Sequence, residues 1–239
     1  MKYKSRAIAL SYLKQGESSI IAKIFTEEKG LQIFIVKGVR AKKSKKKLGL
    51  FQPLQLLIIN ATHLPKNSLQ YISEISLEHT KISDGIDMKK NFLSIFVAEV
   101  TSKVLLETER DKALFKFIWE LQIDLNSSEK INPNFPLIFL ILLSEYLGFS
   151  PSKEEINGVY FNMELGGFTN NKKQLNYYIE KDNSTYLREL LDNKDINIPY
   201  QNRNQILLHL IQYYKLQNHE LKNMTSHLII ESLRTWRIS

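Results

Sequence analysis

The stretch Leu69-Gln70-Tyr71-Ile72-Ser73-Glu74-Ile75-Ser76-Leu77 decides how the N-terminal part of this chain is read. Laid out as an extended strand, it puts Leu69, Tyr71, Ile75 and Leu77 on one side and Gln70, Glu74 and Ser76 on the other. Toward the N-terminus, apolar blocks of strand length recur at 7–13, 19–26, 31–36 and 54–60, parted by Gly, Asn, Pro and Lys clusters. Five short strands within about 75 residues, with no helix-length pattern between most of them, predict a small closed barrel. The oligonucleotide-binding (OB) barrel has this strand number and size, and an SH3-like barrel gives a similar pattern.

Beyond residue 83 the apolar period lengthens from two to about 3.6. Leu114, Phe117, Ile118, Leu121 and Leu125 share one helical face, as do Leu207, Leu210, Ile211 and Tyr214. Further helices are expected at about 87–108, 134–148, 185–192 and 227–237, with Pro133 suited to a helix start and Gly148 to its end. The fold class expected is therefore α+β, an OB barrel over residues 1–80 followed by a mostly helical domain over 81–239. The two join near 81–85, and no internal repeat is visible.

Charge divides at the same place. Residues 1–80 carry 14 Lys/Arg against 5 Asp/Glu, whereas residues 81–239 carry 19 against 20. The whole excess of positive charge thus sits on the barrel, which suits a polyanionic partner such as nucleic acid or an acidic membrane surface. Much of it lies in Lys37-Gly38-Val39-Arg40-Ala41-Lys42-Lys43-Ser44-Lys45-Lys46-Lys47, with seven cations and no anion in eleven residues. Packed like charges repel, so this segment is expected to be a loop that phosphates neutralise; a solvated solubility loop is the plain alternative. Lys37, Arg40, Lys42, Lys43, Lys45, Lys46 and Lys47 are the candidate nucleic-acid contacts. Lysine outnumbers arginine six to one among them, which favours point contacts to backbone over base reading. Aromatic residues interleave the same region at Tyr3, Tyr12, Phe25, Phe34, Phe51 and Tyr71. Most are expected in the core, with Tyr12 and Tyr71 the better candidates for base stacking, because a buried tyrosine hydroxyl needs a partner.

Several function classes fall away. Cysteine is absent, which removes disulfides, thiolate metal sites and cysteine nucleophiles. The chain has no phosphate-binding Gly-x-x-x-x-Gly-Lys loop, no Gly-x-Gly-x-x-Gly, no Gly-x-Ser-x-Gly and no His-Glu-x-x-His. The acidic group Glu107, Glu109 and Asp111 could hold Mg²⁺ for a nuclease, but beside Lys103, Arg110 and Lys112 it reads better as a solvated helix end. The five histidines have no ligand-like spacing. No apolar segment follows the basic Met1–Arg6 start as a secretory signal requires, and the longest apolar run, 135–143, is nine residues with a proline inside it. The chain is read as cytoplasmic and non-catalytic, without cofactor or metal.

Read together, Gly16-Glu17-Ser18-Ser19-Ile20-Ile21, Phe25-Thr26-Glu27-Glu28-Lys29-Gly30, Lys37-Gly38-Val39-Arg40, Lys43-Ser44-Lys45 and Phe51-Gln52-Pro53 resemble the N-terminal domain of the bacterial RecO family, over about residues 5–80. Farther on, the segment 158–168 (Gly-Val-Tyr-Phe-Asn-Met-Glu-Leu-Gly-Gly-Phe) is similar to one found there. Many family members hold a four-cysteine zinc site near this segment, which a chain without cysteine must do without. The resemblance implies a recombination mediator of DNA repair that binds single- and double-stranded DNA and anneals complementary strands. It further implies that, with RecR, the protein helps load RecA onto strands coated by the single-strand binding protein SSB, and that the helical domain captures the SSB C-terminal tail. An RNA-binding factor on an OB or SH3-like barrel is the competing reading from the residues alone.

Overall fold

Backbone pairing joins five strands between Lys2 and Leu77 into one closed barrel. The computed structural model describes residues 1–39, 48–78, 87–105, 110–154, 157–219, 221 and 223–232. Its first five strands are β1 (Lys2–Gln15), β2 (Ser19–Thr26), β3 (Gly30–Val36), β4 (Leu56–Thr62) and β5 (Gln70–Leu77). They run in the order β1-β2-β3-β5-β4, and β4 pairs back onto β1 to close the ring. Every pairing is antiparallel except β3 with β5, which is parallel. That order and that one parallel pair define an OB barrel, so the SH3-like alternative is set aside. Strand β1 pairs along Lys2–Ile8 with β4 and along Ala7–Gln15 with β2, with a register shift between Ala9 and Ser11 in the pairing with β2.

Small and large side chains fill the barrel together. Ala7, Ala9, Ala22 and Ala61 leave room for Ile24, Phe34, Phe51 and Ile59, all of them buried. In the β2–β3 turn the Thr26 hydroxyl donates to the Gly30 carbonyl and accepts from the Lys29 amide, with Gly30 at φ 66°, a left-handed conformation that glycine adopts at no steric cost.

Two helices complete this half. Helix α1 (Met88–Val104) is capped by Asp87, whose carboxylate accepts from the Lys89 amide at 2.8 Å, and α2 (Lys112–Ser127) by Asp111, which accepts from the Leu114 amide at 2.8 Å. On α2, Phe115 meets Phe25 of the barrel edge-on at 5.3 Å and stacks with Trp119 at 5.6 Å. The Arg6 guanidinium lies 5.1 Å from the Trp119 ring and is bidentate to Glu27 at 2.7 and 2.9 Å. Arg6 therefore holds the Glu27 carboxyl below the usual carboxylate range, chiefly through this hydrogen bond. Its contribution to stability is present at neutral pH and lost as acid protonates Glu27.

The chain divides into compact units Met1–Glu129 and Lys130–Ser239. The division falls about 50 residues after the change of apolar period, because Phe25 and Arg6 point outward from the barrel and draw α2 onto it. The second unit contains α3 (Phe135–Tyr146), α4 (Lys181–Leu191), α5 (Tyr200–Leu216) and α6 (Ser226–Ser232). Pro136 occupies the first turn of α3, and Gly148, at φ 81°, follows its end. The Tyr214 hydroxyl donates to the Leu140 carbonyl at 2.6 Å, which satisfies it between α5 and α3. None of the described helices is long and apolar enough to cross a membrane.

A three-stranded sheet in the second unit was not expected from the sequence. Its strands, β6 (Tyr160–Asn162), β7 (Gly167–Thr169) and β8 (Tyr178–Ile179), are ordered β7-β6-β8. Phe161 packs edge-on against Phe168 at 5.2 Å and Tyr213 at 5.6 Å. On the outside, Lys172 Nζ lies 4.8 Å from the Tyr178 ring, 5.3 Å from the Tyr160 ring and 2.7 Å from Glu180, and its pKa is raised, chiefly by the Glu180 hydrogen bond. This aromatic packing holds the segment that, in the resemblance, adjoins a zinc site. A chelator should leave the melting temperature unchanged, and stoichiometric zinc in purified protein would contradict that. Gly158 lies so close to β7 that a Cβ there would sit 2.3 Å from the Thr169 amide nitrogen. Gly158→Ala should therefore destabilise the protein by about 1–3 kcal/mol in urea unfolding, since backbone cannot swing aside as a flexible side chain can.

Candidate nucleic-acid interface

The basic segment leaves the barrel at the end of β3. Lys37, one residue past Val36, is exposed. Arg40, Lys42, Lys43, Lys45, Lys46 and Lys47 lie outside the described residues. The end of β3 adjoins the end of β1 and the start of β2, since Lys14 pairs with Ile20 and Ile20 with Val36. The β1–β2 turn and the root of the basic segment thus share one rim of the barrel.

Register fixes what stands beside that rim. Leu13 pairs with Ile21, Ile21 with Ile35, Ile35 with Tyr71, Tyr71 with Thr62, and Thr62 with Lys2. Directly paired residues point to the same side of a sheet, and the intervening residues Ala22, Phe34 and Ala61 are buried inside, so this row faces outward. Leu13 is 73% and Tyr71 46% exposed. Lys23 and Ile33, also paired, make a second outward step beside it. Lys37 follows Ile35 by two residues, just past the end of β3, and Lys66 lies in the β4–β5 loop. Glu27 and Glu28, in the turn at the far end of β2, are paired with Arg6 and Arg110. Glu17 in the β1–β2 turn and Glu74, bonded to Asn60, are the carboxylates nearer the row.

The two favoured aromatic candidates part company. Tyr12 is half-buried and packs against the barrel core, whereas Tyr71 stands outside. Phe34 and Phe51 are core, Phe25 is buried against α2, and the Tyr3 hydroxyl, inside the barrel, has its pKa pushed up to about 12 by burial. The outward apolar row was missed in the sequence because its members come from four strands, and only closure of the barrel aligns them. In the acidic group considered for Mg²⁺, Asp111 is the N-cap of α2, while Glu107 and Glu109 lie outside the described residues.

The closed five-stranded barrel in the order β1-β2-β3-β5-β4, with its one parallel pair, places the N-terminal part in the OB class. Residues 1–80 match the family model described as Recombination protein O N terminal. The chain is 33% identical to the DNA repair protein RecO of Flavobacterium johnsoniae and 32% identical to that of Flavobacterium psychrophilum, in both cases over 90% of this chain and 91% of the relative. It is 29% identical to the DNA repair protein RecO of Azobacteroides pseudotrichonymphae over 98% of this chain and 99% of the relative. The chain belongs to the RecO family.

Proposed function

We propose that this protein is a non-catalytic mediator of DNA repair and recombination in the cytoplasm. It binds single- and double-stranded DNA, anneals complementary strands and, with RecR, assists RecA loading on SSB-coated DNA. The observation that carries the reading is the lysine-rich segment rooted at the rim of an OB barrel, in a chain related over nine-tenths of its length to DNA repair proteins. Annealing requires that repulsion between two phosphate backbones be screened, and a segment of seven cations without an anion supplies that screen without reading bases.

Residues 81–239, which bring no excess positive charge, are assigned to protein docking. Within them, Pro136, Leu137, Leu207 and Ile230, with the polar Tyr200 and Asn204, line a small depression beside Arg203, whose guanidinium donates to the Ile198 carbonyl; its mix of apolar lining and one cation is the kind of setting an acidic tail with a hydrophobic end, such as that of SSB, would take. Arg110 and Arg188 are engaged within the chain, with Glu28 and with the Gly158 carbonyl respectively. A tail peptide that gave no heat with the full chain in calorimetry would remove this assignment.

The function is tested by mixing bare complementary DNA strands with the protein in Mg²⁺. Duplex should form several times faster than spontaneously, with both strands intact. Failure to accelerate annealing would overturn the reading, and shortened strands would return the nuclease alternative.

A further inference from the structure

We infer that one face of the small sheet of β6, β7 and β8 in the second unit carries a pocket for a neutral, carbonyl-bearing ring, and that its ligand is a pyrimidine with two ring carbonyls, the thymine or uracil of a nucleotide. The choice of a nucleobase rests on the nucleic-acid reading above; the pocket and its donor groups stand apart from it. Asn162 pairs with Gly167 and Tyr160 with Thr169, so these positions share the face opposite Phe161 and Phe168. Together with Leu165 in the β6–β7 turn and with Asn171 and Leu175 beyond β7, Asn162, Gly167 and Thr169 line a cavity of about 290 Å³. Ligand pockets span roughly 300–1,000 Å³, so this one has the size for a single ring with its sugar rather than for a peptide. No charged residue lines it.

Hydrogen bonding within the lining fixes the chemistry of the ligand. Asn162 is only 8% exposed. Its Oδ1 accepts from the Glu164 and Leu165 amides at 2.9 and 3.2 Å, while its Nδ2 meets no acceptor among the described residues. A buried amide N–H left in that state costs free energy until something accepts from it. Thr169 Oγ1 and Asn171 Oδ1 are likewise engaged by backbone, accepting from the Asn171 and Lys173 amides at 3.1 and 3.2 Å. What the three side chains have left to offer is donors, two amide groups and a hydroxyl. A matching ligand presents acceptors, and without a cation in the lining those acceptors are carbonyls rather than a carboxylate. Thymine and uracil carry two carbonyls on a flat ring, whereas cytosine has an amino group in place of one of them. Leu165, 83% exposed, would be covered by such a ring. Lys173, exposed and in no ion pair among the described residues, lies in the chain between Asn171 and Leu175 and is the cation available to the nucleotide's phosphate, since Lys172 is held by Glu180.

The test is saturation-transfer NMR on the full chain with thymidine monophosphate, deoxycytidine monophosphate and inorganic phosphate. Thymidine monophosphate should bind, and deoxycytidine monophosphate should bind several-fold more weakly. Asn162→Asp keeps the oxygen that the turn amides need and replaces the free donor with an acceptor, so it should weaken thymidine monophosphate roughly tenfold. Gly167→Val should abolish the signal by filling the cavity with the fold intact, since a Cβ there meets nothing nearer than Ser152 Cβ at 4.0 Å. Absence of binding, binding unchanged in Gly167→Val, or complete displacement by inorganic phosphate would overturn the inference. Oligothymidylate that displaces the mononucleotide from wild type would place the base within a strand, and failure to displace it would assign the pocket to the free nucleotide; the carbonyl recognition is supported in both cases. Strand annealing is read separately. Wild-type protein that anneals strands but binds no thymidine monophosphate would remove the pocket alone, and protein that binds it without annealing strands would remove the proposed function alone.

Discussion

Replacing Phe34 with alanine should lower the stability of the N-terminal unit by about 3–5 kcal/mol, a large share of the roughly 5–15 kcal/mol that holds a typical domain folded. The ring is fully buried and projects from the middle of β3 into the barrel. Its register partners are Ala22 on β2 and Gln70 on β5. Alanine on one side gives nothing that could move in to fill the space, and hydrogen-bonded strands on both flanks prevent β3 from sinking inward. The cavity would therefore persist, which is the condition under which large-to-small changes cost most. Ile35→Ala, one residue along but facing outward, should cost far less. Urea unfolding followed by circular dichroism reads both. Equal losses at the two positions would mean that the inside and outside of β3 have been assigned wrongly.

The second large effect concerns binding. Changing Lys37, Arg40, Lys42, Lys43, Lys45, Lys46 and Lys47 together to glutamine should remove much of the affinity for single-stranded DNA and for duplex alike. If about four of the seven contact phosphates, they contribute roughly −3 to the slope of log affinity against log salt, at about −0.7 per contact on single strands. Such a slope amounts to a loss of roughly fifty-fold between 50 and 200 mM salt, so the variant and wild type should differ most at low salt and converge as salt rises. The fold should be unaffected, because Lys37 is exposed and its side chain is no part of the barrel core. An unchanged slope in the glutamine variant would show that the cations act elsewhere than on phosphate.

What the sequence made legible and what it hid follow one physical line. Strand existence was readable because each of the five blocks is apolar and bounded by turn residues: 7–13, 19–26 and 31–36 lie within β1, β2 and β3, while 54–60 and 69–77 overlap β4 and β5 but start one or two residues early. Strand faces were not fully readable. The alternation in 69–77 groups Tyr71 with Ile75, yet Asn60 pairs with Glu74 and Ala61 with Ile72, leaving Ser73 as an extra residue in β5. That bulge reverses the side chains beyond it, so Tyr71 points out while Ile75 packs on the core. The register shift at Ala9/Ser11 does the same in β1 and turns Tyr12 inward. No one-strand pattern reveals a bulge, because the partner strand defines it. The sheet of β6, β7 and β8 escaped for a different reason: strands of two or three residues are shorter than any period. The basic segment was legible from composition alone, because charge density requires no fold to be recognised. The outward row required the register of four strands, and hence the closed barrel.

The most direct test of the central claim, that this chain is a mediator acting on strands already covered, is annealing of complementary strands pre-coated with SSB, measured with and without the protein. Coated strands should anneal slowly alone and several-fold faster on addition of the wild-type protein, with the acceleration lost in the variant carrying glutamine at all seven basic positions. Acceleration confined to bare strands, or undiminished in the glutamine variant, would contradict the account.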